Sequence, residues 1–284
     1  VIGVFSDIIA KTFVANPGVA SASILFIFLA VAFGYVNRWV GNKTTSFVIL
    51  TVVGVILMYF FVYLGTQLPF VLDYKIWILA LLGYAFLASV TPVSLLLQPR
   101  DYLNSYLLYG MMIAAVAGVF IANPQIEMSS EIQVSSESLG YVFPVLFVTI
   151  ACGAISGFHS LVASGTTSKQ LDKESDAKVV GFGGMLIESF LAIISVGAVA
   201  ILSREEYTSR LGTEGPVALF SNGIGGMIAT LGISESFAVG FVALTVSAFA
   251  LTTLDTCTRL ARFTLQEYFE DMPQPAAQAV AKNR

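Results

Sequence analysis

Ala151-Cys152-Gly153-Ala154-Ile155-Ser156-Gly157-Phe158-His159-Ser160-Leu161-Val162-Ala163-Ser164-Gly165-Thr166-Thr167-Ser168-Lys169 is the stretch that decides how the chain is read. It continues an apolar helix starting near Leu139, then fills with Gly, Ser and Thr where hydrocarbon side chains should continue. An unpaired backbone group is expensive in lipid, so irregular backbone at membrane depth persists only where protein or a water-filled cavity surrounds it. The stretch therefore predicts a broken helix lining a polar site. At such a break, freed N–H groups face an anion and freed carbonyls face a cation. Gly153, Ser156, Gly157, Ser160, Ser164, Gly165, Thr166 and Thr167 supply close backbone approach and hydroxyls for a solute. A plainer role for the same small residues is to let helices pack closely.

The bilayer this reading needs is written in the composition. The chain is 56% hydrophobic and 11% charged, with mean hydropathy +0.83, whereas a soluble domain carries about a quarter charged residues. That is the composition of an all-α integral membrane protein with the lipid bilayer as its main partner. At about 20 residues per span plus loops, the chain has room for at most about eight crossings. A net charge of −4 and the lack of any Lys/Arg tract exclude nucleic acid as a partner. Cys152 and Cys257 build neither a disulfide framework nor a C-x-x-C metal site and read as packing residues. Nothing in the sequence requires a cofactor. Val1 lies inside an apolar stretch with no initiator Met and no signal-peptide pattern, so the chain is expected to be part of something longer.

Working outward, a short apolar piece from Val1 to Phe13 meets a turn signal at Asn16-Pro17-Gly18. Crossings are predicted at Val19 to Val36, Phe47 to Gly65, Ile76 to Leu97 with a break or bend near Pro92, and Tyr106 to Ala122. Pro99-Arg100-Asp101 ends the third of these. The fifth crossing runs from Leu139 into the Gly/Ser/Thr break, and the sixth from Val179 to Leu202. In Val217 to Leu231, Val217, Phe220, Ile224, Met227, Ile228 and Leu231 form an amphipathic stripe, too short and too sided to cross, expected to lie in the membrane interface. Phe237 to Phe263 is the last long helix, crossing by about Leu254. Residues 1–270 read as one transmembrane domain and 271–284 as a polar, disordered tail. Arg38, Lys43, Arg100 and the lysines 169, 173 and 178 all fall on one side if crossings alternate, which makes that side cytoplasmic. Arg259 and Arg262 join them only if Val217 to Leu231 does not cross. Seven crossings with the amino end outside follow.

Ionisable residues inside spans mark pathways or buried pairs. Glu188, near the middle of the sixth crossing, is the leading single candidate, with a structural ion pair as its alternative. His159 is the one histidine of the chain; the residue type titrates across physiological pH and so suits proton coupling, unless it is a hydrogen-bonded histidine at a helix end. Asp255, after Thr252 and Thr253, offers oxygen ligands for a hard cation such as Na⁺. Its alternative is a pair with Arg259 at four-residue spacing. Arg100 and Asp101 read as topology anchors at a helix end, with a gate contact as the second role.

Several long stretches together resemble the carbon starvation protein A family. They are Leu97-Gln98-Pro99-Arg100-Asp101-Tyr102-Leu103, Cys152 to Leu161 with Ser164-Gly165-Thr166-Thr167, Gly181-Phe182-Gly183-Gly184-Met185-Leu186-Ile187-Glu188-Ser189-Phe190, and Leu254-Asp255-Thr256-Cys257-Thr258-Arg259-Leu260-Ala261-Arg262-Phe263. The resemblance runs from about Asn16 to Phe269, and members of that family are considerably longer. It implies an inner-membrane transporter associated with nutrient starvation that takes up peptides or, in some members, pyruvate, with H⁺ or Na⁺ as coupling ion. The order of elements also resembles the middle of the five-plus-five inverted-repeat transporter fold, with Gly153 to Thr167 as a discontinuous helix and Val217 to Leu231 as an extracellular loop helix. Likeness of fold does not fix function.

The residues bear on two other function classes. Ser156 and His159 do not make a hydrolase: Ala154-Ile155-Ser156-Gly157 matches no nucleophile-elbow pattern, and a three-residue spacing supplies no third, orienting group. A membrane sensor or structural subunit that binds solute without moving it is the alternative that the sequence leaves open.

Overall fold

The computed structural model describes residues 2–40, 44–128, 134–136, 140–141, 143–144, 147 and 157–270. It is almost wholly helical. The helices are α1 (Ile2–Ala15), α2 (Pro17–Val40), α3 (Thr44–Gln67), α4 (Tyr74–Val90), α5 (Leu97–Ala122), α6 (Gly157–Gly165), α7 (Asp176–Ala200), α8 (Arg204–Ala229) and α9 (Glu235–Glu270). A two-residue antiparallel pairing joins Ser135–Ser136 to Gly140–Tyr141. Among the described residues, α2, α3, α5, α7 and α9 are long and apolar enough to cross a membrane, and α4 is a shorter apolar helix. The seven-crossing count and the inverted repeat are left undecided by this set. The Leu139 to Ser156 half of the fifth crossing lies largely outside the described residues, as does the tail from 271 on.

The chain divides into two compact units, Val1–Ala122 with Glu214–Arg284, and Asn123–Thr213. In the first, α9 is the central rod and packs against α1, α2, α3, α4 and α5. Its 36 residues span about 54 Å, well beyond the roughly 30 Å hydrocarbon core. Large apolar side chains lie both inside the bundle, such as Ile9, Met58, Leu103 and Leu254, and on its outer surface, and small residues line the closest helix contacts. Ala10, Ala20, Ala30, Ala85, Ala88, Ala243 and Ala248 are buried, while Phe28, Leu79, Phe86 and Phe120 point outward. Lipid solvates large apolar side chains as well as a protein core does, so close backbone approach and van der Waals packing are what favour helix against helix over helix against lipid. The α2–α3 hairpin shows this directly. A side chain at Gly65 would sit 2.5 Å from the Gly18 carbonyl oxygen and 2.7 Å from Ala22 Cβ.

Two expectations are corrected and a third is filled in. The turn signal at Asn16-Pro17-Gly18 is a helix start: only Asn16 separates α1 from α2, and Pro17 opens α2, where its missing N–H costs nothing. The third span stops at Val90. Thr91 is extended (ψ 140°), the conformation forced on a residue preceding proline. Leu97 then begins α5, so Pro99, Arg100 and Asp101 form its first turn and do not end the span before it. Val217 to Ala229 of the amphipathic stripe form the second half of α8, set off by a kink at Gly215 (φ 81°, a left-handed position suited to glycine) and Pro216, and Thr230 and Leu231 turn out of its end. Ile224, Met227 and Ile228 of that stripe are buried against protein. Gly118 of α5 lies on the Met227 carbonyl, and Gly225 lies on Val239 of α9. Two glycines let backbones touch there, which periodicity alone does not register.

In the second unit, α6 is nine residues, about 14 Å long. It ends at Gly165, and a turn at Thr166 leads into a 3₁₀ segment, Thr167–Lys169. The apolar helix α7 leaves Phe182, Leu186, Ile193 and Val196 exposed, as a lipid-facing helix does. Its last carbonyl, that of Ala200, accepts the backbone N–H groups of Glu127 and Met128 at 3.1 Å.

Candidate functional site

Where α4, α5 and α9 meet, the first unit buries a charged cluster. Arg100, in the first turn of α5, has a side chain 1% exposed and lies 2.6 Å from Oδ2 of Asp255, whose side chain is 0% exposed. Arg100 Nη1 also donates to the Tyr84 hydroxyl of α4, and that hydroxyl donates to Asp255 Oδ2 at 2.8 Å. Arg100 Nη2 donates to Thr252 Oγ1 at 3.0 Å. Asn104, one turn along α5, donates to the same oxygen at 3.1 Å. Thr252 in turn donates to the Ala248 carbonyl at 3.1 Å. Taking two charges out of solvent is costly; hydrogen bonds from Tyr84 and to Thr252 offset part of that cost, while Asp255 Oδ1 and Arg100 Nε stay without partners.

A second set of contacts seals the end of α4. Arg259 Nη2 donates to the carbonyls of Ala88 (2.8 Å) and Thr91 (2.7 Å), and Arg262 Nη1 donates to that of Ser89 (2.6 Å). These acceptors lie at the carboxyl end of α4, where the last carbonyls lack helical partners and carry partial negative charge. Pro92 has no N–H to offer the Ala88 carbonyl four residues back, and the helix ends there. Arg259 is therefore spent on α4, and Asp255 takes Arg100 in place of the neighbour four residues on.

The α1–α2 break shapes two further spaces. Ala15 and Asn16 line both, and each holds 180 Å³. The second also takes in Asp7, Lys11, Glu214 and Ser221, the last fully buried with its hydroxyl unpartnered. Asp7 and Lys11 form an exposed pair at 2.8 Å.

In the second unit, His159 Nδ1 of α6 lies 3.3 Å from Glu188 Oε2 of α7, with the two side chains 58% and 35% exposed. The pair is ionic only when the histidine carries a proton. Ser164 donates to the Leu161 carbonyl at 3.1 Å, which spends its hydroxyl on its own helix. The Thr166 hydroxyl is buried without a partner.

Comparison with known proteins now bears on this geometry. The family model for carbon starvation protein CstA matches residues 1–211 and 207–284. The chain belongs to the CstA family. It is 36% identical over 239 residues to the peptide transporter CstA of Bacillus subtilis, covering 72% of this chain and 40% of that protein. It is 46% identical over 127 residues to the pyruvate/proton symporter BtsT of Escherichia coli, covering 43% of this chain and 18% of that protein. The peptide transporter CstA of Escherichia coli is 44% identical over 131 residues. The chain thus spans less than half the length of these relatives. No solved structure matches it.

As a multi-pass membrane protein of the CstA family, the chain places its sequence-predicted residues in two groups. His159 and Glu188 come together in one unit; Thr252 and Asp255 come together in the other, with Arg100 between α5 and α9. Thr253 donates to the Phe249 carbonyl of its own helix at 3.0 Å and is not part of the cluster. Gly157, Ser160, Ser164 and Gly165 lie along α6, and Thr167 opens the 3₁₀ segment. Gly153 and Ser156 lie outside the described residues, so the break itself is not seen. Arg100 is no surface anchor. Tyr84 and Asn104 were missed altogether. A signal for Asn104 was present: Arg100 and Asn104 are four apart, and Thr252, Asp255, Arg259 and Arg262 recur at three- and four-residue spacing, a polar face on a largely apolar helix.

Proposed function

We propose that this chain is part of a secondary active transporter that imports a peptide or a small carboxylate such as pyruvate across the inner membrane by alternating access, coupled to H⁺ or Na⁺. The observation that carries the reading is the Arg100–Asp255 pair, fully buried among apolar helices. Charge at membrane depth is expensive and is kept where ions or solutes pass. The names of the CstA and BtsT relatives agree with it. In this reading the Gly153 to Thr167 stretch binds solute through backbone groups and hydroxyls. Glu188 and His159, in contact at 3.3 Å, take part in solute binding and proton passage, and Thr252 and Asp255 form the coupling centre. Uptake of radiolabelled pyruvate and dialanine into vesicles carrying the purified full-length protein tests it. Accumulation above equilibrium, abolished when both ion gradients are collapsed, is expected. Binding without accumulation rejects transport in favour of a sensor.

A further inference from the structure

We propose, resting on the transport reading above, that Asp255 and the carboxylate of the solute compete for Arg100, so that each carboxylate carried is accompanied by one proton held on Asp255. A guanidinium does not give up its proton in a protein. Buried at 1% exposure, Arg100 must always face one negative charge. While Asp255 is ionised it supplies that charge and repels a second anion. Protonation of Asp255 from water turns its carboxylate into a neutral acid and frees Arg100 for an incoming carboxylate; no bond in the solute is made or broken. Departure of the solute restores the pair and returns the proton to water on the other side.

Two unpartnered polar atoms fit this exchange. Asp255 holds Arg100 through Oδ2 alone, and its Oδ1 has no partner, which leaves an open lone pair for the proton while Tyr84 stays on Oδ2. Arg100 Nε is likewise buried without an acceptor. A solute carboxylate spanning Nε and an Nη makes the two-pronged contact that Asp255 does not.

The other ionisable groups felt at Asp255 are Tyr84 on α4, Arg100 and Asp101 on α5, and Arg259 on its own helix. Arg259 is engaged by the α4 carbonyls. Charges on other helices packed on α9 are paired elsewhere: Asp7 with Lys11 on α1, and Arg38 of α2 with Ser94 at 2.5 Å. Arg100 thus stands where a metal cation would have to bind, and Na⁺ is not the ion taken at Asp255.

The test uses the full-length protein in vesicles, with pyruvate and dialanine as probes. The parent is expected to accumulate a probe on a proton gradient without Na⁺. Asp255→Asn mimics the protonated acid permanently. It should still exchange internal for external probe, at a rate independent of pH, while losing proton-driven accumulation by about ten-fold or more, within the usual range of coupling between linked ligands. Asp255→Asn combined with Arg100→Gln should lose both. Proton-driven accumulation by Asp255→Asn, or loss of exchange in a folded Asp255→Asn, overturns the proposal. If neither probe is accumulated even by the parent, it is the transport reading that fails. Should Asp255→Asn not reconstitute, Asp255→Ala is melted in detergent with sodium acetate against sodium chloride. Acetate should raise its melting temperature by several degrees, and that of neither the parent nor Arg100→Gln/Asp255→Ala. Equal melting in the two salts overturns the proposal.

Discussion

The Arg100–Asp255 pair predicts a strong non-additivity in stability. Asp255→Leu leaves the guanidinium of Arg100 buried without its ion-pair partner, hydrogen-bonded to the neutral oxygens of Tyr84 and Thr252, with the Asp101 carboxyl nearby but not paired to it. Breaking a buried pair from one side costs about 3–5 kcal/mol. Arg100→Met strands Asp255 in the same way, with Tyr84 as its one remaining donor. The double variant removes both charges and keeps the volume roughly filled, so its cost should lie nearer to either single variant than to their sum, with a coupling of at least about 2 kcal/mol. The chain carries its own reporter. Trp77 of α4 is 4% exposed and stacks edge-on against Phe13 at 4.9 Å, whereas Trp39 is 94% exposed. With Trp39→Phe in all four proteins, denaturant unfolding in mixed micelles followed by Trp77 emission gives the cycle. Additive losses, or single losses below about 1 kcal/mol, refute the claim that this pair is a desolvated unit.

Three further outcomes are expected. Glu188→Gln, which keeps volume and removes charge beside His159, should lower the initial rate of solute uptake while leaving the yield of folded protein unchanged; uptake at the parental rate makes Glu188 structural. His159→Ala should flatten the pH profile of uptake if that imidazole passes the proton, and an unaltered profile assigns proton passage elsewhere. Gly65→Leu forces a side chain into the Gly18 carbonyl and Ala22 and should cost about 1–3 kcal/mol as an overpacked contact, read as a lowered midpoint of thermal unfolding; Gly83→Leu, where nothing lies within reach of a side chain, is the matched control and should melt like the parent.

Much of the fold was legible because its causes are local. Hydropathy located α2, α3 and α7 to within a few residues and found the apolar bodies of α5 and α9, since a helix in lipid must be apolar for its whole crossing, but it missed the polar first turns of α5 from Leu97 and the last turns of α9 to Glu270. Proline was read less well. Its presence at 17, 92 and 99 was noticed, yet whether a proline opens, ends or bends a helix depends on which backbone groups it leaves unpaired and on what comes to meet them. Arg259 and Arg262 meet those of α4 from far along the chain. The stripe after Pro216 had the right periodicity for a sided helix, but periodicity says that one face differs and not whether lipid headgroups or another helix covers it.

By itself the sequence determined the solvent, the helical class and the family, because each is carried by composition or by contiguous residues. It also marked Asp255, Glu188 and His159 as costly residues in an apolar chain. Only the tertiary structure chose their partners. Arg259, four residues from Asp255 on the same helix, was the nearer candidate by sequence, but it reaches the open carbonyls of α4, and Arg100 crosses from α5 to Asp255. A buried charge is satisfied by whatever donor the fold brings within about 3 Å, and that proximity is a property of helix packing that no local pattern contains.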